Sequence, residues 1–499
     1  MLKRASGVLL NISSLPSEFG IGGFGEEISR GCQFLLECGF KYWQVLPLTT
    51  IGMGNSPYSG NSAFALNSLY VDPDRLLNDG FVTEEERNEA VYDGTPYVVD
   101  YDAVRFLKTR LLHRAYDRKK DEINKDLVKY AKDNTWVNDY ALYKTLKDKF
   151  ENKSWLDWPK AYKFRENINE KDFIKENKEE YFYYVFEQYV LSFQWNESRK
   201  TCKKNDIKII GDMPMYVSLD SADVWANRGN YQLKVDGTPK KVAGVPPDYF
   251  SEDGQLWGNP LYDYAAMAAN GYRWWMERID RMMEIYDVLR IDHFRAFSDY
   301  WAVPASAKTA KEGKWCKGVG IELFDLIFKK YPKDRFIAED LGIIDNRVVK
   351  LLKKTGLPGM RVMHFGFDGS NNIHLPTNYP KNCIGYTATH DNNTSLGWLF
   401  ELDEHTRDMA LKYIGCDKSV WGTGAYDSIS VKLMIKKVME SDCVIGVVPL
   451  QDLFGFGSDC RMNTPGVATG NWEYRATQEQ FDSCRKNFFL ELNKATGRF

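Results

Sequence analysis

Four apolar stretches of the chain end in carboxylates, and these acidic residues are the ones best suited to chemistry. They are Asp212, Asp292, Glu339 and Asp391. Cleavage of a glycosidic bond uses a pair of carboxyl groups, one as nucleophile or base and the other as acid. A single carboxylate at a strand end can equally be a structural ion-pair partner. Four at the same end of one closed sheet would converge on a single cleft, which favours the catalytic interpretation.

Asp292 lies in the most informative of these stretches, residues 290–295, of sequence RIDHFR. The apolar residues before it predict a short buried strand that delivers Asp292 at its carboxyl end. Arg290 and Asp292 share one face of that strand, so we expect the guanidinium to hold the carboxylate ionised. An ionised carboxylate is what covalent attack on a sugar carbon requires. The alternative, a structural ion pair, stays open at this point.

The elements that position these residues form an alternating pattern of strands and helices. Eight short apolar runs have the near-continuous apolar character of strands in a parallel sheet covered on both faces. They are residues 7–10, 42–47, 207–213, 288–294, 336–338, 360–365, 383–387 and 444–449. Helical patterns separate many of them, at 25–38, 272–286, 321–330 and 425–441. The alternation predicts an α/β fold, and eight strands suit a (β/α)8 TIM barrel with right-handed crossovers.

One interval between predicted strands is too long for a single crossover connection. It runs from about residue 73 to 205, is rich in charged residues, and shows helical patterns at 104–120, 140–150 and 180–195. We predict that 73–205 is a mainly helical insertion subdomain after the second strand, packed on the barrel rim beside the cleft. The catalytic barrel, with its extended cleft loops, then comprises residues 1–72 and 206–499.

Composition excludes several classes of protein. Of the 499 residues, 43% are apolar and 27% charged, and the net charge of −3 gives no strong field for nucleic acid or an anionic membrane. No apolar stretch has the form of a signal peptide or membrane span. The nine cysteines contain no Cys-x-x-Cys pair and the six histidines no His-x-x-x-His pair, so neither a disulfide framework nor a metal site is indicated. We expect a cytoplasmic protein with reduced thiols and no cofactor.

The motifs around the four carboxylates resemble those of a known enzyme family. They read GDMP at 211–214, RIDHFR at 290–295, AEDLG at 338–342 and THDN at 389–392. Together they are similar to the 4-α-glucanotransferase family, also called amylomaltase or disproportionating enzyme. Further matches are NISSLP 11–16, GIG 20–22, SPYS 56–59, NSAF 61–64, GVPPDYF 244–250, GQLWGNP 254–260 and RMNTPG 461–466. The set, in this order, is specific, and it implies a retaining transglycosylase on an α-amylase-like barrel.

The resemblance implies a role for each catalytic carboxylate. Asp292 matches the family's nucleophile, Glu339 the general acid/base, and Asp391 the third carboxylate, which stabilises the transition state. The apolar residues before Glu339 agree with an acid whose pKa is raised by its surroundings. Spacing alone leaves open whether Glu339 and its neighbour Asp340 exchange roles, and the resemblance favours Glu339.

The resemblance also implies a set of residues that bind the substrate. They are Tyr58, Asp212, Trp257, Arg290, His293, His390 and Asn463. Tyr58 and Trp257 have Gly-, Ser- and Asn-rich surroundings typical of exposed loops, where an aromatic ring can stack on a sugar. A lone histidine is more often structural, but close to Asp292 and Asp391 hydrogen bonding to sugar hydroxyls is favoured. The partners implied are maltooligosaccharides and other α-1,4-glucans, with glucose as an acceptor.

The carboxylates do not decide between hydrolysis and transfer, because both reactions pass through the same glycosyl-enzyme intermediate. The stretch 242–260, rich in Gly, Pro and aromatic residues, is predicted to be a loop that closes over the cleft and excludes water, which favours transfer. A non-catalytic glucan-binding protein is an alternative, and the presence of all three carboxylates argues against it. A metal-assisted phosphosugar enzyme is another, and it requires a phosphate-binding loop or Mg²⁺.

Overall fold

Two sheets organise the chain in the computed structural model, which describes residues 2–247, 252–369 and 371–499. Their strands are β1 (Ala5–Leu9), β2 (Tyr42–Gln44), β3 (Lys208–Met213), β4 (Lys241–Val245), β5 (Gln255–Pro260), β6 (Val288–Ile291), β7 (Asp299–Pro304), β8 (Lys314–Lys317), β9 (Phe336–Ala338), β10 (Gly359–Val362), β11 (Cys383–Tyr386) and β12 (Ile445–Pro449). Eight of them form a parallel sheet, and each of the eight predicted apolar runs overlaps one of these eight strands.

The parallel sheet closes on itself. Its strands lie in the order β10-β11-β12-β1-β2-β3-β6-β9. The main-chain N–H of Ala338, the last residue of β9, donates to the carbonyl of Pro358 directly before β10, at 2.9 Å. This bond joins the two outer strands, so the predicted (β/α)8 barrel is confirmed. Closure places the carboxyl ends of all eight strands around one opening.

Gly211 in β3 shows how the strand sequence positions a loop above the barrel. A Cβ at this residue would lie 2.1 Å from Cγ of the buried Tyr286, so the ring fits only beside glycine. The Tyr286 hydroxyl accepts the main-chain N–H of Leu48 at 2.9 Å, which fixes the beginning of the segment that follows β2. That segment leads to Tyr58, one of the predicted site residues.

The described residues contain twenty α-helices. They are α1 (Glu26–Glu37), α2 (Pro73–Asn78), α3 (Glu84–Asn88), α4 (Tyr101–Asp133), α5 (Trp136–Lys149), α6 (Lys160–Lys163), α7 (Glu170–Glu176), α8 (Lys178–Lys204), α9 (Ala222–Ala226), α10 (Tyr264–Ala269), α11 (Arg273–Ile285), α12 (Arg295–Ser298), α13 (Ile321–Lys330), α14 (Asn346–Thr355), α15 (Ser395–Glu401), α16 (Glu404–Ile414), α17 (Ile429–Glu440), α18 (Leu450–Phe454), α19 (Gln478–Ser483) and α20 (Lys486–Ala495). The four predicted interstrand helices correspond to α1, α11, α13 and α17. None of the helices in the described part of the chain combines the length and the apolar character needed to cross a membrane.

The insertion between β2 and β3 is helical, with α2 to α8 lying between residues 73 and 204. Helix α4 has 33 residues and extends beyond the predicted 104–120, because Ile123, Leu127 and Ala131 continue its buried face through a charged sequence. The prediction that 73–205 is a separate subdomain stays a prediction.

Helix α8 attaches the insertion to the barrel through two glutamine side chains. Gln188 accepts the N–H of Leu66 at 2.8 Å and donates to the carbonyl of the same residue at 3.0 Å. Gln194 makes the same pair of bonds with Asp72, at 2.8 and 3.1 Å. Each amide therefore satisfies a buried main-chain donor and acceptor in the segment after β2.

The second sheet is antiparallel, in the order β5-β4-β7-β8, and the sequence patterns did not predict it. The expectation of a loop at 242–260 is wrong for most of that stretch, because β4 and β5 pair with Gly244 opposite Leu256. Strand β5 is exposed along most of its length, so it lacks the apolar alternation of a half-buried strand. Residues 248–251, which include part of the GVPPDYF motif, lie outside the described residues.

His364 connects the stability of the barrel with pH. Its ring stacks on Trp398 with centroids 4.4 Å apart, its Nε2 lies 3.1 Å from Ser395 Oγ, and burial lowers the pKa of His364 to about 3. Because the pKa of an unfolded histidine is about 6.5, only the unfolded chain takes up this proton as the pH falls, and stability is lost below that value.

We expect His364→Phe, which keeps an aromatic ring against Trp398, to flatten the acid side of the stability curve. Between pH 6.5 and 4 the free energy of unfolding should depend less steeply on pH by about 1.4 kcal/mol per pH unit. Urea unfolding at several pH values measures this slope for both proteins. Equal slopes would show that His364 is not buried in its neutral form.

Candidate active site

Arg290 joins two carboxylates at the carboxyl ends of neighbouring strands. In the β3–β6 pair Asp212 lies opposite Arg290. Arg290 Nη1 contacts both carboxylate oxygens of Asp212, at 2.7 and 2.6 Å, and Oδ1 of Asp292 at 3.0 Å. The Asp212 side chain is fully buried, whereas 27% of the Asp292 side chain is exposed. Asp292 is therefore the member of this group that a substrate can reach.

Glu339 follows β9 and lies against the backbone next to Asp292. Its Oε2 accepts the N–H of His293 and its Oε1 the N–H of Leu341, both at 2.7 Å. His293 has a φ of +45°, in the left-handed region that residues with a Cβ rarely adopt. Strained backbone of this kind is concentrated at functional sites. The Glu339 carboxylate is thus held on the peptide group that directly follows Asp292.

Asp340, the alternative to Glu339, has a different set of partners. Its Oδ2 lies 3.0 Å from Arg361 Nη1, and its Oδ1 accepts the N–H of Met360 at 2.6 Å. The residue is buried against β10, which carries both partners. This geometry makes Asp340 a structural ion-pair partner and favours Glu339 for chemistry.

Asp391, His390, Tyr58 and Asn463 form a second hydrogen-bonded group. Asn463 Nδ2 donates to Oδ1 of Asp391 at 2.6 Å, and His390 Nε2 lies 3.4 Å from Oδ2 of the same carboxylate. The Tyr58 ring stacks on His390 with centroids 5.2 Å apart, and its hydroxyl lies 2.9 Å from His390 Nε2. The hydroxyl also donates to Asp212 Oδ2 at 2.8 Å, so Tyr58 connects this group with the first one.

The crowding of carboxylates controls protonation in the site. Burial raises the pKa of Asp292 to about 8, Arg290 opposes that shift, and the neighbouring carboxylates add to it. Burial also raises the pKa of Glu339, again against the effect of Arg290. Both shifts favour the protonated form, and two carboxyl groups this close titrate as one unit. The expectation that Arg290 holds Asp292 ionised stays a prediction: Arg290 contacts Asp292 at 3.0 Å, but its shorter contacts go to Asp212.

The two histidines of the site are neutral. Burial lowers the pKa of His293 to about 3, and burial also lowers the pKa of His390. A neutral imidazole has one N–H donor and one acceptor nitrogen. This combination suits hydrogen bonding to sugar hydroxyls, which donate and accept.

A cleft of about 790 Å³ lies over these groups. Seven of the predicted site residues line it, namely Tyr58, Trp257, Asp292, His293, His390, Asp391 and Asn463. The other three, Asp212, Arg290 and Glu339, bond to residues of that set. Trp257 is 38% exposed, and its ring lies edge to face with His293, with centroids 4.9 Å apart. All ten predicted residues are therefore brought together.

The cleft also contains residues that the sequence analysis missed. The rings of Tyr216 and Trp257 lie 6.2 Å apart, and Trp472 lies 5.7 Å from Tyr58. The Gly and Asn residues before Trp472 are the same signal that marked Tyr58 and Trp257 as loop aromatics. Tyr143 and Lys147 of α5 line the cleft as well. No local sequence pattern identifies Tyr143 and Lys147 as cleft residues, because they lie inside a helical segment far in sequence from the catalytic motifs.

Comparison with known proteins identifies the family. A model of the 4-alpha-glucanotransferase family matches residues 10–480. The 4-alpha-glucanotransferase of Aquifex aeolicus is 39% identical over 498 residues, which are 99% of this chain and 99% of that protein. The chloroplastic/amyloplastic enzyme of Arabidopsis thaliana is 40% identical over 481 residues, 95% of this chain and 81% of that one. The solved amylomaltase from Streptococcus agalactiae, in complex with acarbose, has a TM-score of 0.94 and 37% identity, covering 99% of this chain and 100% of that one. The chain therefore belongs to the 4-α-glucanotransferase family.

Proposed function

We propose that this cleft is the active site and that Asp292, Glu339 and Asp391 carry the chemistry. As a 4-α-glucanotransferase, the protein moves α-1,4-glucan segments from a maltodextrin donor to an acceptor through a covalent glycosyl-enzyme intermediate. One observation carries the assignment of roles: Glu339 accepts the N–H of the peptide group that directly follows Asp292, and Arg290 lies 3.0 Å from Asp292.

In the first step Asp292 is the nucleophile. The reactive form has the proton of the pair on Glu339 and the negative charge on Asp292, because Arg290 contacts Asp292 directly. An Asp292 oxygen attacks the anomeric carbon as the glycosidic bond breaks, and Glu339 gives its proton to the departing oxygen. To reach the departing oxygen, one Glu339 oxygen must give up the main-chain N–H from which it now accepts a hydrogen bond. Catalytic groups in substrate-free sites often reach their reactive geometry only when substrate binds. The products are a shortened glucan and a glycosyl ester on Asp292.

In the second step a new sugar takes the place of the departed one. The 4-hydroxyl of the acceptor attacks the anomeric carbon, the ester bond to Asp292 breaks, and the Glu339 carboxylate takes the hydroxyl proton. Two inversions at the same carbon restore the α configuration. We propose that glucose as well as maltooligosaccharides act as acceptors, since an exposed ring such as Trp257 can stack on a single sugar.

The remaining site residues position the sugar and its charge. Asp391 faces the positive charge that develops on the ring in the transition state, and its bond from Asn463 at 2.6 Å fixes its orientation beforehand. His293 and His390 hydrogen-bond to sugar hydroxyls, and Tyr58 presents an aromatic surface. Asp212 neutralises and anchors Arg290, so that Arg290 keeps its place beside Asp292.

Two further expectations from the sequence belong to this proposal. Residues 73–205 form a helical subdomain on a barrel made of 1–72 and 206–499. This is supported by the secondary structure described for 73–205, which consists of helices without a β-strand. The protein is cytoplasmic, supported by nine cysteines that all carry free thiols, as a reducing compartment favours.

Incubation with maltotriose alone tests transfer against hydrolysis. We expect glucose together with a ladder of maltotetraose and longer chains, because the aromatic and hydroxyl-binding lining favours a sugar over water at the intermediate. Chromatography of the oligosaccharides measures the products. Glucose and maltose without longer chains would show a hydrolase.

A further inference from the structure

The helical insertion holds an acidic side chain of the barrel in the wall of the cleft. Asp220, which lies between β3 and α9, lines the same cleft as Asp292 and Asp391. Its hydrogen-bond partners all come from the insertion: Tyr143, Lys147 and Trp155. Neither the sequence motifs nor the mechanism uses this residue.

The contacts of Asp220 hold its carboxylate in one orientation. Oδ1 accepts the Tyr143 hydroxyl at 2.8 Å and the Trp155 main-chain N–H at 3.3 Å, and Oδ2 accepts Lys147 Nζ at 2.9 Å. The indole N–H of the buried Trp155 also donates to the carbonyl of Leu219 at 2.7 Å, which fixes the backbone beside it. A group fixed in this way loses little freedom when it binds a ligand.

Asp220 also keeps capacity for another hydrogen bond. An ionised carboxylate offers about four acceptor positions, and the bonds above occupy three. The Asp220 side chain is 38% exposed, whereas that of Lys147 is 9% exposed. Lys147 uses its three donors on Asp220 and on the carbonyls of Asn152 and Lys153, at 2.9, 2.6 and 2.9 Å. Lys147 thus balances the negative charge of Asp220, and Asp220 keeps an acceptor position that a ligand can reach.

We infer that Asp220, supported by Tyr143 and Lys147, binds a glucose unit of the glucan chain at a subsite separate from the one formed by Asp292, Glu339 and Asp391. The inference rests on the proposed function, in which a glucan occupies the cleft. Sugar hydroxyls donate to a fixed carboxylate, and such charge-assisted bonds are the strong ones. An ion pair that only stabilised the fold would not need an exposed, preoriented acceptor in the cleft. Asp220 shares none of its hydrogen-bond partners with Asp292, Glu339 or Asp391, so a separate subsite here makes it a determinant of chain-length preference.

Transfer kinetics with donors of different length test the inference. Wild type should use maltoheptaose with a higher kcat/KM than maltotriose. For Asp220→Ala we expect kcat/KM on maltoheptaose to fall about 10- to 100-fold, the effect of losing a hydrogen bond to a charged group. The value for maltotriose should stay unchanged, because only longer chains would use the separate subsite at Asp220. Tyr143→Phe should give the same pattern with a smaller loss.

Two controls keep folding apart from binding. Asp102→Asn changes an aspartate on α4 whose side chain is 98% exposed. It should leave kcat/KM unchanged for both maltoheptaose and maltotriose. In the Asp292→Asn background, titration calorimetry should show that Asp220→Ala weakens the binding of maltoheptaose but not the binding of maltotriose. Equal losses for both lengths in Asp220→Ala and Tyr143→Phe, or no loss for either length, would overturn the inference. Failure of wild type to elongate maltotriose would instead count against the proposed function.

Discussion

Replacing Asp292 with Asn is expected to abolish transfer between maltodextrins. Loss of the covalent nucleophile should lower kcat/KM on maltotriose by ~10⁴-fold or more, the scale seen when nucleophiles are removed from other enzymes. An amide has nearly the same shape as the carboxylate but no charge, so the glycosyl ester cannot form. Glucose release with time, measured on wild type and variant at equal concentration, gives the ratio.

Binding of the substrate should survive this change, which separates an enzyme from a glucan-binding protein. The contacts of Tyr58, Trp257 and Asn463 do not depend on the charge of Asp292, so the Kd of maltoheptaose should change little. Asp102→Asn serves as the control for an exposed position. Turnover by Asp292→Asn above a few per cent of wild type would show that the nucleophile is another residue. Lost binding would show that the substitution damages the cleft.

Replacing Glu339 with Gln is expected to slow maltotriose transfer by about 10²- to 10⁴-fold, the usual contribution of a general acid/base. With α-glucosyl fluoride as donor the first step should recover, because fluoride departs without a proton. Deprotonation of the acceptor remains impaired, so the glycosyl ester on Asp292 should accumulate and be visible by mass spectrometry of the intact protein.

Azide separates the two carboxylates, because it attacks without needing a base. With Glu339→Gln and α-glucosyl fluoride it should release α-glucosyl azide, the product of two inversions. The β anomer would mean that Glu339 is the nucleophile.

The raised pKa of the pair also fixes the sign of the pH effect: wild-type activity should fall at alkaline pH as Glu339 loses its proton. The fluoride reaction of Glu339→Gln, which uses no such proton, should keep its rate there.

The barrel could be predicted from the sequence because its strands are buried on both faces. β1, β6, β11 and β12 are buried at every position, and that burial is what produces a continuous apolar run. The antiparallel sheet left no such signal, since β5 is mostly exposed and β8 is nowhere fully buried. Its strands are identified by pairing with each other, which is a property of the folded chain.

The site could be predicted as a set of residues but not as a network. The two-residue spacing showed that Arg290 and Asp292 share a face, and the structure has that contact at 3.0 Å. The shorter contacts of Arg290 go to Asp212, 78 residues away in the chain, and arise from the pairing of β3 with β6. The spacing of residues in the sequence does not show that Asp212 competes with Asp292 for Arg290. For the same reason the raised pKa of Asp292 could not be foreseen.

The raised pKa of the Asp292 and Glu339 carboxyl groups has a consequence for how this chain can adapt to heat. Carboxyl groups with a raised pKa hold protons more tightly in the folded than in the unfolded protein, so the folded state loses stability as the pH rises from about 4 towards 8. The catalytic centre therefore opposes the folding of the barrel that contains it. Variants selected for thermal tolerance must gain their stability elsewhere, in helix caps, surface charges and shorter loops, because relieving the repulsion at its source removes the activity.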